Sequence, residues 1–175
     1  PDSAWQTHNP IDNFTENTLN KYFKKQQPNS AYRIIYPSSQ PVGLQALGKL
    51  AGWHHPSPFM VGINNIWGSW FAYRAAVLAN TTFVASEKLI SHSPCDTCEH
   101  KICIALCPAN ACSMDSLDMK ACLAYRRQDD SKCKKTCLAR VACPVGKEHK
   151  YQKAQIQYHY GVSLKMIEEY ENINS

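Results

Sequence analysis

All nine cysteines of this 175-residue chain fall between Cys95 and Cys143, and that crowding constrains the fold more than any other feature. An odd number of clustered thiols makes a poor disulfide framework. In a reducing compartment such thiols are more often metal ligands. The rest of the chain places it there by expectation. Pro1 to Pro10 has neither a basic start nor an apolar core, so no signal peptide is read, and a cytoplasmic location follows. Without a secretory signal, the glycosylation patterns at Asn13-Phe14-Thr15 and Asn80-Thr81-Thr82 are taken as chance.

The spacing narrows the metal. The first block reads Cys95-x2-Cys98-x4-Cys103-x3-Cys107-Pro108. Two-cluster iron–sulfur proteins use C-x2-C-x2-C-x3-C-P, in which three thiolates hold one cube and the fourth crosses to the other. Here Glu99-His100-Lys101-Ile102 widens one gap. The second block is Cys122 followed by Cys133-x3-Cys137-x5-Cys143-Pro144. Crossing the last cysteine of each block gives two complete sets. One is Cys95, Cys98, Cys103 and Cys143; the other is Cys107, Cys122, Cys133 and Cys137. Two [4Fe–4S] clusters would use eight thiols and leave Cys112 as a small buried hydrophobe. Two four-thiolate zinc sites are the alternative, although zinc ribbons seldom carry the x3-Cys-Pro ending. His92, His100 and His149 flank the module and are read as surface histidines.

Net charge is +5, and hydrophobic residues make up 44% of the chain, which suits a globular protein. A basic run at Arg126, Arg127, Lys132, Lys134 and Lys135 reads as a solvated face that offsets the charge of thiolate-held clusters. Nucleic acid is not the expected partner; a redox protein is. Phe59 to Ala85 is the most apolar region, but Asn64, Asn65, Arg74 and Asn80 interrupt it. A membrane span needs ~20 mostly apolar residues, so none is expected.

Three regions are expected: an α+β body over 1–90, the cysteine module over 91–150 and a helical tail over 151–175. In the body, Phe14, Leu19, Tyr22 and Phe23 predict a helix ending near Gln26-Gln27-Pro28. Tyr32–Tyr36 predicts a strand, and Leu44, Leu47 and Leu50 a helix over 42–51. After a loop at His54–Pro58, residues 59–64 and 67–78 predict two strands joined by a turn at Asn64-Asn65, with a partly helical second segment as the alternative. In the tail, Gly161 is expected to break the helix and Ser163 to cap a second segment reaching Tyr170.

Residues 41–143 resemble the epoxyqueuosine reductase and reductive dehalogenase families. The likeness is carried by Pro41 through Trp53, by Gly68-Ser69-Trp70-Phe71 with its apolar continuation to Leu78, and by the two Cys-Pro modules. Cys122-Leu123-Ala124-Tyr125 is similar to the isolated ligand ahead of the family's second cysteine group. Trp67 to Arg74 is also similar to a vitamin B12 processing protein related to the same core. The resemblance implies a partial nitroreductase-like core joined to a two-cluster ferredoxin-like domain, with cobalamin as a further cofactor. It also shows departures. Ser38 stands where epoxyqueuosine reductases have a catalytic aspartate, and a hydroxyl is a far weaker acid. The region before Ala31 is short for a cobalamin-binding core, and the tRNA-binding helical repeats are missing, as in a relative cut down at both ends. The expected function is therefore one-electron transfer through two clusters, with no catalytic residue assigned. The alternatives are a cobalamin-dependent reductase completed by a partner subunit, and a zinc-stapled interaction module. His54 and His55 are the candidate cobalt ligands. Trp53, Trp67, Trp70, Phe71 and Tyr73 are a candidate aromatic floor, and Glu87 a candidate partner for Arg74.

Overall fold

The computed structural model describes residues 9–38 and 41–174, with side chains to Glu169. Ser39 and Gln40 of the Ser38–Pro41 motif, and the start of the chain through His8, lie outside the described residues. The described residues form six α-helices and a two-stranded antiparallel sheet, which makes the fold α+β in the coarse sense. Among the described residues, no helix is long and apolar enough to cross a membrane. The chain divides into two compact units, one over 1–52 and 72–89, the other over 53–71 and 90–175. That division differs from the three regions expected. Residues 53–71 and the tail both belong with the cysteines.

In the first unit, helix α1 (Pro10–Gln26) starts on a proline, which suits a first turn whose N–H groups lack partners. Lys24 and Lys25 sit at its C-terminal end, where cations are favoured. Its buried residue, Phe23, stacks on Tyr32 with ring centres 4.0 Å apart. Tyr32 opens strand β1 (Tyr32–Tyr36) and donates its hydroxyl to Asn20 Oδ1 at 2.7 Å. Helix α2 (Leu44–Leu50) follows, and strand β2 (Ala76–Ala79) pairs with β1 from Tyr32 opposite Ala79, with an irregularity between Ile34 and Tyr36. Tyr73 packs over Gly48 of α2. The partner proposed for Arg74 is corrected here. Arg74 is half-buried rather than buried, Glu87 is exposed, and no ion pair joins them among the described residues.

The second unit holds helices α3 (Ile102–Ala105), α4 (Met119–Arg127), α5 (Leu138–Ala142) and α6 (Lys153–Asn174). Short α3 and α5 pack together, and both are bracketed by cysteines. The core contains Phe59, Ile63, Ala111 and Ala139 with Cys103, Cys107, Cys112 and Cys143. Phe59 and Ile63 come from the segment expected to be a strand. It is instead a loop, held by paired backbone bonds between His55 and Ile63 and by Asn64, whose Oδ1 accepts from the N–H groups of Ile66 and Trp67. Residues 67–75 are irregular too, because the Ser69 carbonyl, fully buried, takes its hydrogen bond from the Arg140 side chain and needs no ladder.

The expected break in the tail is absent, since α6 runs through Gly161 and Ser163 without interruption. A helical glycine costs about 1 kcal/mol relative to alanine. Packing of Ile156 and Tyr160 on either turn before it offsets that cost.

Gly68 and Gly146 fix how the 53–71 segment meets the turn after Cys143. Both have left-handed backbones, with φ +57° and +62°. A Cβ on Gly68 would lie 2.0 Å from the Val145 carbonyl oxygen, and one on Gly146 2.4 Å from the Gly68 nitrogen. Gly146→Ala therefore meets both a strained backbone and a backbone wall. It is expected to destabilise the chain by about 2–4 kcal/mol, measured by urea unfolding under anaerobic conditions.

Candidate metal centre

Two serines and two prolines frame the cysteines in the same way. Ser93 Oγ accepts the Cys95 N–H at 3.2 Å, and Ser131 Oγ accepts the Cys133 N–H at 3.1 Å. Each is an ST turn two residues long that fixes the chain as it enters a block. Pro108 and Pro144 end the blocks. The widened gap after Cys98 is absorbed at Lys101, which is left-handed at φ 42° and caps α3. Its Nζ returns to the Cys95 carbonyl, so the extra residues close into a loop instead of displacing Cys103.

The thiols fall into two electrostatic neighbourhoods. Cys103 is acted on by Cys143, Cys95 and Cys98, and Cys143 by Cys95 and Cys98. Cys122 is acted on by Cys137, Cys107 and Cys133, and Cys137 by Cys133 and Cys107. Burial first, and these like charges second, push the thiols of Cys103, Cys122 and Cys143 up from the ordinary cysteine range. For Cys95, Cys133 and Cys137 burial is likewise the main cause of a rise.

Donors aimed at sulfur oppose that rise. Backbone N–H groups of Ile104, Leu138, Arg140 and Val145 bond Cys103, Cys133, Cys137 and Cys143 respectively. Cys107 is the extreme case. Burial works against its thiolate, but N–H groups of Ala111, Ala109 and Cys112, with the Cys112 thiol, together outweigh it and hold Cys107 below the ordinary range. Burial and the bond to Cys107 push Cys112 up, so Cys112 stays a protonated donor. Cysteine spacing carries no signal of that role.

The second neighbourhood surrounds a hollow. A cavity of about 190 Å³ is lined by Cys107, Cys112, Cys122, Cys133 and Cys137, and closed by Phe59, Leu117, Leu138, Tyr160 and Ile167 among others. Arg126, only 7% exposed, borders it. Its guanidinium donates to the carbonyls of Cys133 at 3.3 Å and Tyr160 at 2.9 Å, and lowers the thiols of Cys122 and Cys133 electrostatically. Arg140, 9% exposed, donates to Ser69 Oγ at 3.3 Å and to the Ser69 carbonyl. It lies 4.5 Å from the centre of the Trp70 ring and bonds the Tyr160 hydroxyl, which in turn donates to Cys137. Burial, then Cys137, raises the Tyr160 hydroxyl well above its usual value.

The first neighbourhood also reaches the surface. Cys95 and Cys98 are half-exposed, and a surface hollow bordered by Thr97, Cys98, Glu99, His100, Ile102 and Pro144 lies beside Cys98. Among the described residues, no three His, Cys, Asp or Glu side chains converge tightly enough to hold a single metal ion. His92 and His100 are exposed, and His149 packs tilted against Trp67 with ring centres 4.4 Å apart. The candidate cobalt ligands have other neighbours: His54 is buried near Phe71, and His55 Nε2 meets Ser91 Oγ at 2.9 Å. Trp70 is core, 3% exposed, packed edge-on to Tyr151.

No protein family, curated protein or solved structure matches this chain.

Arg140→Lys keeps the charge but loses the planar stack and the forked bonds to Ser69. Leaving the Ser69 carbonyl unpaired is expected to cost about 1–3 kcal/mol, with a red shift of tryptophan emission as Trp70 loosens. Urea titration followed by fluorescence checks both.

Proposed function

We propose that the protein is a one-electron carrier holding two [4Fe–4S] clusters. Cys95, Cys98, Cys103 and Cys143 would hold the first; Cys107, Cys122, Cys133 and Cys137 would hold the second. The observation that carries this reading is the cavity of about 190 Å³ lined by all four thiols of the second set. Zinc contacts its four sulfurs at ~2.3 Å and leaves no hollow between them. A space several times the ~30 Å³ share of one water suits a polyatomic cluster better.

The donor chemistry supports the same choice. Four crowded thiolates repel one another, and a metal cluster offsets that repulsion with positive charge. Sulfur atoms that each receive backbone N–H bonds are typical of tuned cluster ligands. The partition is also the one implied by the resemblance to the epoxyqueuosine reductase and reductive dehalogenase families. When bound, such clusters supply one-electron sites. Around them, Arg126 would offset negative charge, the Tyr160 hydroxyl and the Cys112 thiol would bond ligand sulfurs, and α6 would exclude water from the second site. No catalytic residue is assigned, which favours a carrier or redox subunit over a complete enzyme.

Anaerobically purified protein is expected to be brown, to bleach with dithionite, and to contain about eight iron and eight sulfide per chain. Colourless protein with stoichiometric zinc would overturn the proposal. Two further variants test the assignments of single residues. Cys107→Ala is expected to lose about half the iron, whereas Cys112→Ala keeps it. Tyr160→Phe is expected to keep all the iron and move one reduction potential negative, because a hydrogen bond to sulfur favours the more negatively charged reduced state. Paramagnetic resonance during a redox titration reads both.

A further inference from the structure

Four lysines from the cysteine module and one from the tail converge on one face. Lys132, Lys134 and Lys135, together with Lys150 and Lys153, border an open groove of about 590 Å³. The basic run visible in the sequence is thus rearranged in space. Arg126 turns inward to the thiols, and Lys150 joins from just before α6 and Lys153 from its first position. Lys134 has an exposed acidic neighbour, Asp129, at 3.5 Å, and Lys150 donates to the Val141 carbonyl at 3.3 Å. Lys132, Lys135 and Lys153 are exposed and join no ion pair among the described residues. The first turn of α6 also lies along the groove, and its unpaired N–H groups add positive potential.

Position gives this charge a use. Thr136 lines both the groove and the cavity that holds the second set of thiols, so one side chain stands between them. Resting on the electron-carrier reading, we propose that the groove docks an acidic electron-transfer protein, with Thr136 at the closest approach to the second centre. In that encounter the partner loses one electron and the second centre gains it; no bond forms or breaks. A row of lysines around a cleft steers an oppositely charged protein and raises its association rate. Nucleic acid is the weaker occupant, since the groove presents neither an arginine fork for phosphate nor an aromatic face for a base.

Flavodoxin, a small acidic one-electron protein, serves as the probe, with full-length anaerobic protein. Binding is measured by calorimetry, and electron transfer by stopped flow beside reduced methyl viologen, a small cationic donor. Lys135→Glu with Lys153→Glu is compared with Lys165→Glu, which lies outside the groove and pairs with Glu169. The double variant is expected to lose flavodoxin affinity and rate by at least about tenfold, with the viologen rate and the Lys165→Glu variant within about twofold. Raising ionic strength from about 0.01 M to about 0.15 M, which shortens the screening length from about 30 Å to about 8 Å, should weaken wild-type binding. Flavodoxin binding that is absent, or that survives the double reversal, would overturn the docking proposal. Tighter binding of a labelled single-stranded RNA than of flavodoxin at equal salt would overturn it too. Protein without iron would instead sink the electron-carrier reading, whatever flavodoxin does; salt-sensitive binding lost on reversal would still support the groove as an acidic-protein dock.

Discussion

Two buried guanidinium groups that meet no carboxylate among the described residues hold the second unit together. A buried cation is costly unless its donors are met and its charge is offset. Arg126 and Arg140 meet that condition with carbonyl oxygens, ring faces and nearby sulfur. Arg126 spans from α4 to the loop at Cys133 and to α6. Arg140 joins α5 to Ser69 and Trp70, and through the Tyr160 hydroxyl reaches Cys137. Each arginine ties distant stretches of chain to the same small region of thiols. Removing either would leave carbonyls unpaired in a place that water does not reach, which is more damaging than the loss of one surface charge.

This explains how so irregular a chain keeps a defined shape. Apart from α4 and α6, the unit has only short helices and few ladder bonds, so many of its backbone polar groups must be satisfied in other ways. Asn64 caps two N–H groups, serines cap the cysteine turns, and the sulfurs themselves accept from Ile104, Leu138, Arg140 and Val145. Sulfur thus does for this core what a sheet does elsewhere. The apolar share of the core is small, with Phe59, Ile63 and Ala139 among its few fully carbon side chains. A core of that size is marginal without staples, and metal is one of the usual ones.

Sequence spacing proposes a partition of the thiols because ligand chemistry is local: four sulfurs on two short blocks can reach only a few arrangements. Tyr32–Tyr36 and Leu44–Leu50 were legible for the same reason, as short periodic runs between prolines and glycines. Residues 59–75 misled because their backbone groups are met by the nearby Asn64 side chain and, at Ser69, by Arg140 far along the chain, and not by a strand partner; only 76–78 of the expected second strand lie in β2. Gly161 misled because propensity is a weak prior that packing overrides. The buried arginines, Tyr160 and the joining of Lys150 and Lys153 to the basic run had no sequence signal. Each depends on contacts across tens of residues.

The cysteine block is consequently not a module in its own right. Phe59 and Ile63 pack among Cys103, Cys107, Cys112 and Cys143, and Ser69 accepts the guanidinium of Arg140. Gly68 and Gly146 meet so closely that neither tolerates a side chain. On the other side Tyr160 and Ile167 of α6 close the cavity. Residues 91–150 alone would therefore lack the floor beneath one set of thiols and the wall around the other.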